Sequence, residues 1–473
     1  MKEGKAKREA RQLERFKRQL TRPETKATFI TMIVLAILFQ MFDQMATGIY
    51  SNFQEAEVRD FAGLAFNADI SEGAPGYDAY QNTLSTIALA SMIGFGFMGV
   101  TPWYKAMADK YGRKPFFIIN AFFLAVALVM GGLTHNLTIF VVATLLITFF
   151  TIHDIQILYV TECVPDHQRG MWQGIIAAAG SLAGVITTGA RLLALQPDGT
   201  VGEIPWRLIF IMVGVFGFVI FAAAVFFLRE SHPFLVSRVA YLETPEDKRR
   251  ANASAGKQAD AGVFSAFRLI LKNKQLRWIS IATLLFSTAN NMVTSYNNTI
   301  MAQNGMGTIG ITIALVVSMV IAIPLNLLIG PLSDRIGRKL TSALGALASA
   351  AAFAALVYFG GNFTDTVNGG IFNGIMVGIS IWGYGTVGNL TTLMMSESCP
   401  SSMRGSIIGV RSFFMVTAVV SIFLSGMLFP IMPTGQVCFW LAVPFLALSS
   451  ICILLKTKET KGLTIEEIDA QFE

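Results

Sequence analysis

Five titratable side chains interrupt long apolar segments of this sequence: Asp43, His153, Asp154, Arg191 and Arg411. A charge costs at least about 2.5 kcal/mol when its surroundings are hydrocarbon, so each of these residues is a candidate functional group. A carboxyl or an imidazole there can bind and release a proton, and a guanidinium can hold a carboxylate through two parallel hydrogen bonds. The five residues therefore predict proton binding and anion binding. No spacing typical of a metal site, or of a nucleophile with its base, accompanies them.

The predicted proton-coupling residues are Asp43, His153 and Asp154. Gln40, Asp43 and Thr47 recur at helical spacing and form one polar stripe on the first apolar segment. A partly desolvated carboxyl on such a stripe can take up a proton near neutral pH. His153 and Asp154 are adjacent, so on a helix they point about 100° apart and do not both face one cavity. The alternative for all three is a structural polar group that its neighbours satisfy.

Eight side chains are predicted to contact a substrate: Gln40, Arg191, Asn290, Asn291, Thr294, Trp382, Asn389 and Arg411. Amides buried in hydrocarbon need partners, so Asn290 and Asn291 are expected to point inward. Helix-to-helix contacts are the alternative role for these amides, and a core position is the alternative for Trp382. Two Arg against two Asp leave no negative excess among the titratable groups, which favours an organic anion over a cation as substrate.

Composition indicates what class of protein positions these residues. Of 473 residues, 53% are hydrophobic and 14% are charged, whereas a soluble domain has about 25% charged residues. So little charge cannot cover a soluble surface, and 37 Phe and 21 Met have to be buried, which excludes disorder. The four Cys form no CxxC pair, which excludes a disulfide scaffold and a zinc site of that type. The sequence predicts an all-α membrane protein without a metal or an organic cofactor.

Twelve apolar segments have about the 20-residue length that a helix needs to cross a bilayer. They are 28–50, 81–103, 116–134, 138–160, 172–195, 207–228, 277–300, 309–331, 341–360, 370–395, 406–428 and 434–455. The first segment is too long for a cleaved signal peptide, and 27 mostly polar residues precede it. The sequence therefore predicts twelve transmembrane helices.

The distribution of Lys and Arg predicts how the chain is oriented. Of the 36 basic residues, 32 lie in the alternate segments 1–27, 104–115, 161–171, 229–277, 332–340, 396–405 and 456–473. Cytoplasmic segments carry such an excess, so both termini are expected in the cytoplasm, and the short connections favour the inner membrane of a bacterium. The net charge of +6 needs no nucleic-acid partner, because the basic N-terminal arm is attracted to anionic lipid.

A polar stretch divides the chain into two groups of six segments. The predicted units are a basic N-terminal arm at 1–27, a six-helix bundle at 28–228, a cytoplasmic linker at 229–276, a second six-helix bundle at 277–455 and a cytoplasmic tail at 456–473. The linker ends in FRLILKNKQLRW, which is typical of an amphipathic helix at a membrane surface. The acidic outer loop 51–80, which contains Glu57, is expected to be a solvated cap.

Two motifs occur once in each half, at matching places. ADKYGRK (108–114) and SDRIGRK (333–339) follow the second and eighth segments, and ECVPDHQRG (162–170) and ESCPSSMRG (397–405) follow the fourth and tenth. Glycine permits a tight turn there, and a helix dipole favours an Asp at its N-terminus. The predicted gate residues are Asp109, Arg113, Glu162, Arg169, Asp334, Arg338, Glu397 and Arg404, whose ion pairs would close the cytoplasmic side and break when it opens. Static anchoring of the topology is the alternative.

These motifs resemble those of the major facilitator superfamily of transporters, and the resemblance covers the whole chain. GPLSDRIGRK matches the superfamily's loop signature in full, whereas Lys105 stands where the opening Gly is usual in the first copy. The E-x-x-P-x-x-x-R-G pairs, LRESHPFL (228–235) and KETKGLTIEEID (458–469) are similar to the sugar porter and organic-ion branches. The resemblance implies two pseudo-symmetric six-helix bundles, with a site between them that opens to each side in turn.

The core differs from sugar porters, because Asn290 and Asn291 stand where their helix 7 has a Gln pair and Trp382 lies 15 residues before Glu397. These differences argue against a hexose. The sequence as a whole predicts a monomeric transporter, not an enzyme, that moves a small organic anion together with protons and is energised by the proton gradient. The alternatives are a uniporter or exchanger of organic acids, a sugar or polyol porter and, as the weakest, a transporter-like nutrient receptor.

Overall fold

The computed structural model describes most of the chain. The described residues are 2–21, 25–65, 75–151, 153, 155–165, 168–192, 205–245, 263–297, 300–301, 304–306, 308–363, 366–400, 403–415, 421, 424–425, 427–428 and 432–461. Regular structure within these ranges is helical throughout, with no strand. The predicted all-α class is therefore confirmed for this part of the chain.

Seventeen α-helices follow one another along the described residues. The first nine are α1 (Lys2–Leu20), α2 (Lys26–Phe61), α3 (Tyr77–Gly96), α4 (Thr101–Tyr111), α5 (Arg113–Leu133), α6 (Leu137–Thr151), α7 (Ile155–Cys163), α8 (Arg169–Leu192) and α9 (Trp206–Phe227). The others are α10 (His232–Glu243), α11 (Val263–Lys272), α12 (Lys274–Ser295), α13 (Thr308–Ile336), α14 (Arg338–Phe359), α15 (Thr366–Ser396), α16 (Arg404–Phe414) and α17 (Thr434–Lys456).

Nine stretches of the described helices are long and apolar enough to cross a membrane. They are Lys26–Ile49, Arg113–Leu133, Leu137–Cys163, Arg169–Thr187, Trp206–Phe227, Ile309–Ile336, Arg338–Asn362, Thr366–Ser396 and Thr434–Lys456. The other three predicted segments, 81–103, 277–300 and 406–428, overlap with α3, α12 and α16, each of which begins before its segment. A 3₁₀ turn at Phe97–Gly99 interrupts the first of them, the second contains four Asn, and the third is described only in part.

Helix α2 is longer than the predicted first segment, 28–50, because it continues to Phe61. Part of the predicted outer loop is therefore helical, and Glu57 within it is fully buried. For this residue the expectation of a solvated cap is wrong. The helix continues because residues 51–61 hold no Gly or Pro, and because Phe61 packs its ring 4.7 Å from that of Phe140.

The apolar core forms two large clusters. One uses buried residues between Met32 and Leu228, and the other uses buried residues between Ala282 and Ile453. A smaller cluster joins α11, with Val263, Ala266 and Ile270, to α12, α15 and α16. In the predicted amphipathic run, Asn273 separates α11 from α12 and caps α12 by accepting from the backbone N–H of Gln275 at 2.8 Å.

Helices α8 and α13 bring the two halves of the chain into close contact. A Cβ on Gly174 would lie 2.7 Å from the carbonyl oxygen of Asn326, so only glycine fits at this crossing. The amide of Asn326 donates to Ser181 Oγ at 2.7 Å across the same pair of helices. A second contact between the halves joins α4 to α16. Both contacts approach the end of the bundle that carries the glycine loops at 112 and 337, which we call the basic end.

Candidate functional site

The first copy of the repeated motif forms a buried ion-pair cluster at the basic end. Arg113 Nη2 lies 2.8 Å from Asp109 Oδ1 and 2.7 Å from Glu162 Oε1. The Nη1 of the same guanidinium donates to the carbonyl of Ala108 at 2.7 Å. All three charged side chains are almost fully buried. Because removing one partner would leave an uncompensated buried charge, the cluster is held together as a unit.

The second copy repeats this arrangement in a looser form. Arg338 pairs with Asp334, and its Nη2 lies 3.5 Å from Glu397 Oε1. Arg338 and Glu397 are as buried as their counterparts, whereas the side chain of Asp334 is 24% exposed. The repeated spacing in the sequence therefore corresponds to repeated geometry around a central guanidinium.

Two carboxylates that the sequence analysis did not select cover the glycine loops. Glu230 Oε1 accepts from the backbone N–H of Arg113 at 2.7 Å, and Glu459 Oε1 accepts from that of Arg338 at 2.8 Å. The loop glycines have φ of +109° and +100°, and a Cβ on either would overlap the carboxylate above it. Only glycine fits such a turn. The signal was present in LRESHPFL and KETKGLTIEEID, where each Glu precedes a hydroxyl residue.

Those hydroxyl residues make equivalent hydrogen bonds in the two halves. Ser231 Oγ donates to Glu162 Oε2 at 2.5 Å, and Thr460 Oγ1 donates to Glu397 Oε2 at 2.7 Å. Each half thus links its two motifs to the segment that follows its last span. Burial raises the pKa of Glu230 to about 7, although the backbone N–H groups that it accepts from favour its ionised form.

Asp109 also joins the two halves. It accepts from the backbone N–H of Ser406 at 2.6 Å, from Ser406 Oγ at 2.9 Å and from the N–H of Gly405 at 3.2 Å. These donors lie at the N-terminus of α16, where the helix dipole favours a negative charge. On the opposite side, Asp334 lies beside Gly170 near the N-terminus of α8, since a Cβ there would be 2.7 Å from its Oδ1.

The two remaining predicted gate residues are Arg169 and Arg404, which begin α8 and α16. Both are buried, at 2% and 1% exposure. Arg404 Nε donates to the carbonyl of Ser396 at 3.1 Å, which ties the start of α16 to the end of α15. All eight predicted gate residues therefore lie at the basic end of the bundle.

A cavity of about 230 Å³ lies between the halves, next to this cluster. Its lining comes from α4, α7, α8, α12, α15 and α16, and includes Lys105, Gln173, Asn389 and Arg411 together with apolar and hydroxyl residues. Two cations line it, and no Asp or Glu is among the described residues that do so. Of the predicted substrate residues, Asn389 and Arg411 belong to this lining.

The two cations of the cavity are held by the protein. Arg411 Nη2 donates to the carbonyl of Gly388 at 2.9 Å and to Thr391 Oγ1 at 3.1 Å. Lys105 is 2% exposed, and its Nζ lies 3.5 Å from Ser412 Oγ. Sequence reasoning missed Lys105 because it counted this residue among the basic loop charges. Its departure from the usual glycine was the signal that could have identified it.

The predicted residues of the first half lie apart from this lining. Asp43 is 2% exposed on α2, and Gln40 Oε1 accepts from Gln156 Nε2 of α7 at 2.9 Å. His153 lies in a turn between α6 and α7 and stacks on Tyr104, with ring centroids 4.0 Å apart. Neither of its ring nitrogens has a hydrogen-bond partner. Asp154 lies outside the described residues, so the helical angle between His153 and Asp154 stays a prediction.

The other predictions fall partly outside the description. Asp154 lies outside the described residues, as do the side chains of Arg191, Asn290 and Asn291, while Thr294 is exposed on α12. Trp382 is half-buried on α15, and its indole N–H has no hydrogen-bond partner. In the part of the chain that the structure describes, no group of three or more His, Cys, Asp or Glu could hold a metal ion.

Among curated proteins, two relatives are transporters. The arabinose-proton symporter of Bacillus subtilis is 22% identical over 414 residues, which is 82% of this chain and 85% of that protein. The cis,cis-muconate transport protein of Acinetobacter baylyi is 26% identical over 344 residues, which is 69% of this chain and 72% of that protein.

Solved structures share the fold at low sequence identity. The proton:xylose symporter XylE, bound to 6-bromo-6-deoxy-D-glucose, has a TM-score of 0.71 and 17% identity, and the match covers 95% of this chain and 100% of that one. The human organic anion transporter MFSD10 has a TM-score of 0.63 and 13% identity, with 90% and 99% covered. The family model described as Major Facilitator Superfamily matches residues 27–419. This chain therefore belongs to the major facilitator superfamily.

Proposed function

We propose that this protein is a symporter that moves a small organic anion, a carboxylate, together with protons. The observation that carries the proposal is the cavity between the halves, whose lining holds Lys105 and Arg411 but no described carboxylate. Burying cations costs free energy that a bound anion offsets. A guanidinium is also suited to a carboxylate, because it can hold one through two parallel hydrogen bonds.

The rest of the cavity lining fits the organic part of such a substrate. Phe286 and Tyr384 are stacked, with ring centroids 4.1 Å apart, and Ile157, Leu158 and Met415 add apolar surface. The Tyr384 hydroxyl has no hydrogen-bond partner among the described residues, so it can meet a polar group of the ligand. A cavity of about 230 Å³ suits a small molecule. An apolar, unsaturated or aromatic body carrying a carboxylate satisfies these groups together.

The coupling ion is the proton in this proposal. Asp43 is a buried carboxyl on the first membrane-spanning helix, and His153 is a buried imidazole whose nitrogens lack hydrogen-bond partners. Two of the similar proteins carry proton symport in their names. Asp154 is retained as a third candidate from its sequence position. Coupling requires only that the proton and the anion bind the outward-open and inward-open states with different affinities.

The transport cycle proposed here is alternating access by two bundles of six helices, with twelve spans in all. The predicted gate residues would close the basic end, and that end faces the cytoplasm together with both termini of the chain. The cell membrane is the proposed location. The protein is proposed to work as a monomer, since each half supplies part of one cavity.

A pentose or polyol porter is the second candidate. Gln173, Asn389 and Thr392 give the cavity neutral hydrogen-bonding groups of the kind that bind hydroxyls, and two similar proteins are named for arabinose and xylose. This candidate makes no use of the positive charge of Lys105 and Arg411 in substrate binding. A uniporter or exchanger of organic acids would use the same cavity, with Asp43 as a structural group.

Proton movement in liposomes tests the proposal. Purified protein is reconstituted, and external pH is followed after addition of cis,cis-muconate, aromatic and aliphatic monocarboxylates, L-arabinose or D-xylose. Alkalinisation with one acid, and loss of that signal with retained counterflow in Asp43→Asn, are the expected results. Proton uptake with a pentose alone would contradict the anion assignment, and counterflow without any proton signal would contradict symport.

A matched pair of variants on one helix tests the role of the cavity cations. Lys105→Gln removes the buried ammonium, whereas Lys110→Gln removes an exposed one from the same helix, α4. Counterflow of the acid should fall at least tenfold in the first variant and stay unchanged in the second. Equal transport in both variants would remove Lys105 from the binding site.

A further inference from the structure

Glu57 is a fully buried carboxyl at the end of α2 that lies opposite the basic end. Its exposure is 0%, and neither of its oxygens has a hydrogen-bond partner. It follows the span Lys26–Ile49 and lies 14 residues beyond Asp43, which is about 21 Å further along the helix axis. No role in the proposed cavity, or at the basic end, uses this residue.

The surroundings of this end of α2 are closely packed. Phe53 and Val58 are buried, and the Phe61 ring lies 4.7 Å from that of Phe140 and 5.8 Å from that of Trp206. These aromatic side chains come from α2, α6 and α9, so they close the space around the last turns of α2. Water and polar groups that could solvate a carboxylate are displaced by this packing.

The nearest described carboxylate along α2 is engaged by another helix. Asp60 accepts from Arg207 Nε of α9 at 2.8 Å and from Trp206 Nε1 at 3.1 Å. Arg59 lies two residues after Glu57, which places it about 200° away around the helix. Asp78 and Tyr80 of α3 and His135 between α5 and α6 also lie at this end, and Glu57 hydrogen-bonds to none of them. No described residue therefore donates a hydrogen bond that would stabilise a negative charge on the Glu57 carboxyl.

We propose that Glu57 is a proton-binding site, a second protonatable carboxyl on the helix that carries Asp43. An ionised carboxylate without a partner in an apolar interior is strongly unfavourable, so the group takes up a proton instead. In agreement, burial raises the pKa of Glu57 well above its usual range. Any conformational change that admits water to this end of α2 then releases the proton. The site therefore links that change to pH, whichever solute is transported.

Infrared difference spectroscopy of the purified full-length protein tests this proposal. The infrared absorption of protonated carboxyls at pH 7 should be lower in Glu57→Gln than in the wild type, by the C=O stretch of one carboxyl in an apolar environment. Asp78→Asn, which removes an exposed carboxyl near the same end, is the matched control and should leave the absorption unchanged. An absorption in Glu57→Gln equal to that of the wild type would overturn the proposal, because every protonated carboxyl would then be another residue.

Thermal unfolding between pH 5 and 8 gives a second readout that does not depend on transport. With a pKa raised in the folded state, the folded protein holds more protons than the unfolded one, so wild-type stability falls as pH rises through this range. Glu57→Gln should therefore melt several degrees higher than wild type at pH 8 and show a smaller dependence on pH. A variant that follows the wild-type curve, or that melts lower at every pH, would contradict a proton on Glu57. Asp78→Asn should follow the wild-type curve.

Discussion

Asp109 of α4 accepts from the backbone N–H of Ser406 at 2.6 Å, at the first turn of α16 in the other half of the chain. The same carboxylate pairs with Arg113, so one side chain takes part both in the cluster of its own half and in the contact between halves. Its counterpart, Asp334, pairs with Arg338 but is 24% exposed. The two copies of the motif are thus alike in sequence but differ in how deeply the Asp is buried at the basic end.

Replacing Asp109 by Asn should favour opening of the basic end. The substitution removes a negative charge from a buried helix N-terminus. That charge stabilises the contact by about 1–2 kcal/mol. A loss of that size shifts a two-state equilibrium by about fivefold to thirtyfold. The shift is measured as the rate at which a thiol reagent labels a cysteine introduced at Thr161, a residue of the cavity lining, in an otherwise cysteine-free protein.

The matched comparison is Asp334→Asn. Because Asp334 is partly exposed, its charge is better screened, and the change in labelling rate should be smaller than for Asp109→Asn. Membrane insertion should be normal in both variants. A larger effect from Asp334→Asn would show that the second copy, and not the first, controls the closed state.

Glu230 should make the stability of the basic end depend on pH. Burial raises its pKa to about 7, so between pH 5 and 7 the folded state binds more protons than the unfolded state. The free energy of unfolding therefore falls by up to about 3 kcal/mol as pH rises through this window, and it levels off above it. Thermal unfolding of Glu230→Gln should lose this part of the dependence on pH.

The control for Glu230 is Glu243→Gln, which removes a half-exposed carboxylate from the neighbouring helix α10. Its unfolding curve should keep the wild-type dependence on pH. If Glu230→Gln also kept it, the proton taken up by the folded state would have to bind elsewhere. The Glu57 variant is measured in parallel, because both carboxyls contribute in the same pH range and each is isolated only by its own substitution.

The repeated motifs allowed much of the basic end to be predicted from sequence. The repeated spacing predicted ion pairs among eight charged residues without assigning partners, and the structure places two of them, Arg113 and Glu162, 2.7 Å apart. The ion pairs could be predicted because the same charged residues recur at the same spacing in each half, so both copies are expected to adopt the same arrangement. The positions of Glu230 and Glu459 could not be inferred in the same way, since their role depends on which loop the residues after α9 and α17 lie against.

Residues inside the bundle were harder to predict for a physical reason. Hydropathy separates apolar from polar segments, but it does not report which face of a helix meets another helix. Lys105 was therefore counted as a loop charge, although it is buried beside the cavity. Glu57 was assigned to a solvated loop because nothing in the local sequence shows that α2 continues into an aromatic cluster formed by α6 and α9.

The hydroxyls of Ser231 and Thr460 should stabilise the two halves independently. Each donates to a buried carboxylate, Glu162 at 2.5 Å or Glu397 at 2.7 Å, and loss of such a bond costs about 1.5–3 kcal/mol. Ser231→Ala and Thr460→Ala should each lower the melting temperature. The double variant should show the sum of the two effects, because the sites share no partner. If the change in melting temperature of the double variant differed clearly from this sum, the two sites would be energetically coupled.

Replacing Gly112 by Ala should destabilise the first copy of the motif at the basic end. We expect a methyl group at this position to destabilise it more than one added at any other position there. Its φ of +109° is unfavourable for alanine, and the new Cβ would overlap the Glu230 carboxylate. We expect the free energy of unfolding to fall by at least about 1–3 kcal/mol, measured as a lower melting temperature. Gly96→Ala is the matched control, because a Cβ at Gly96 in α3 meets nothing within 4 Å and its backbone is helical. If Gly112→Ala proved as stable as Gly96→Ala, the turn would have to relax freely, and Glu230 would not hold the loop in place.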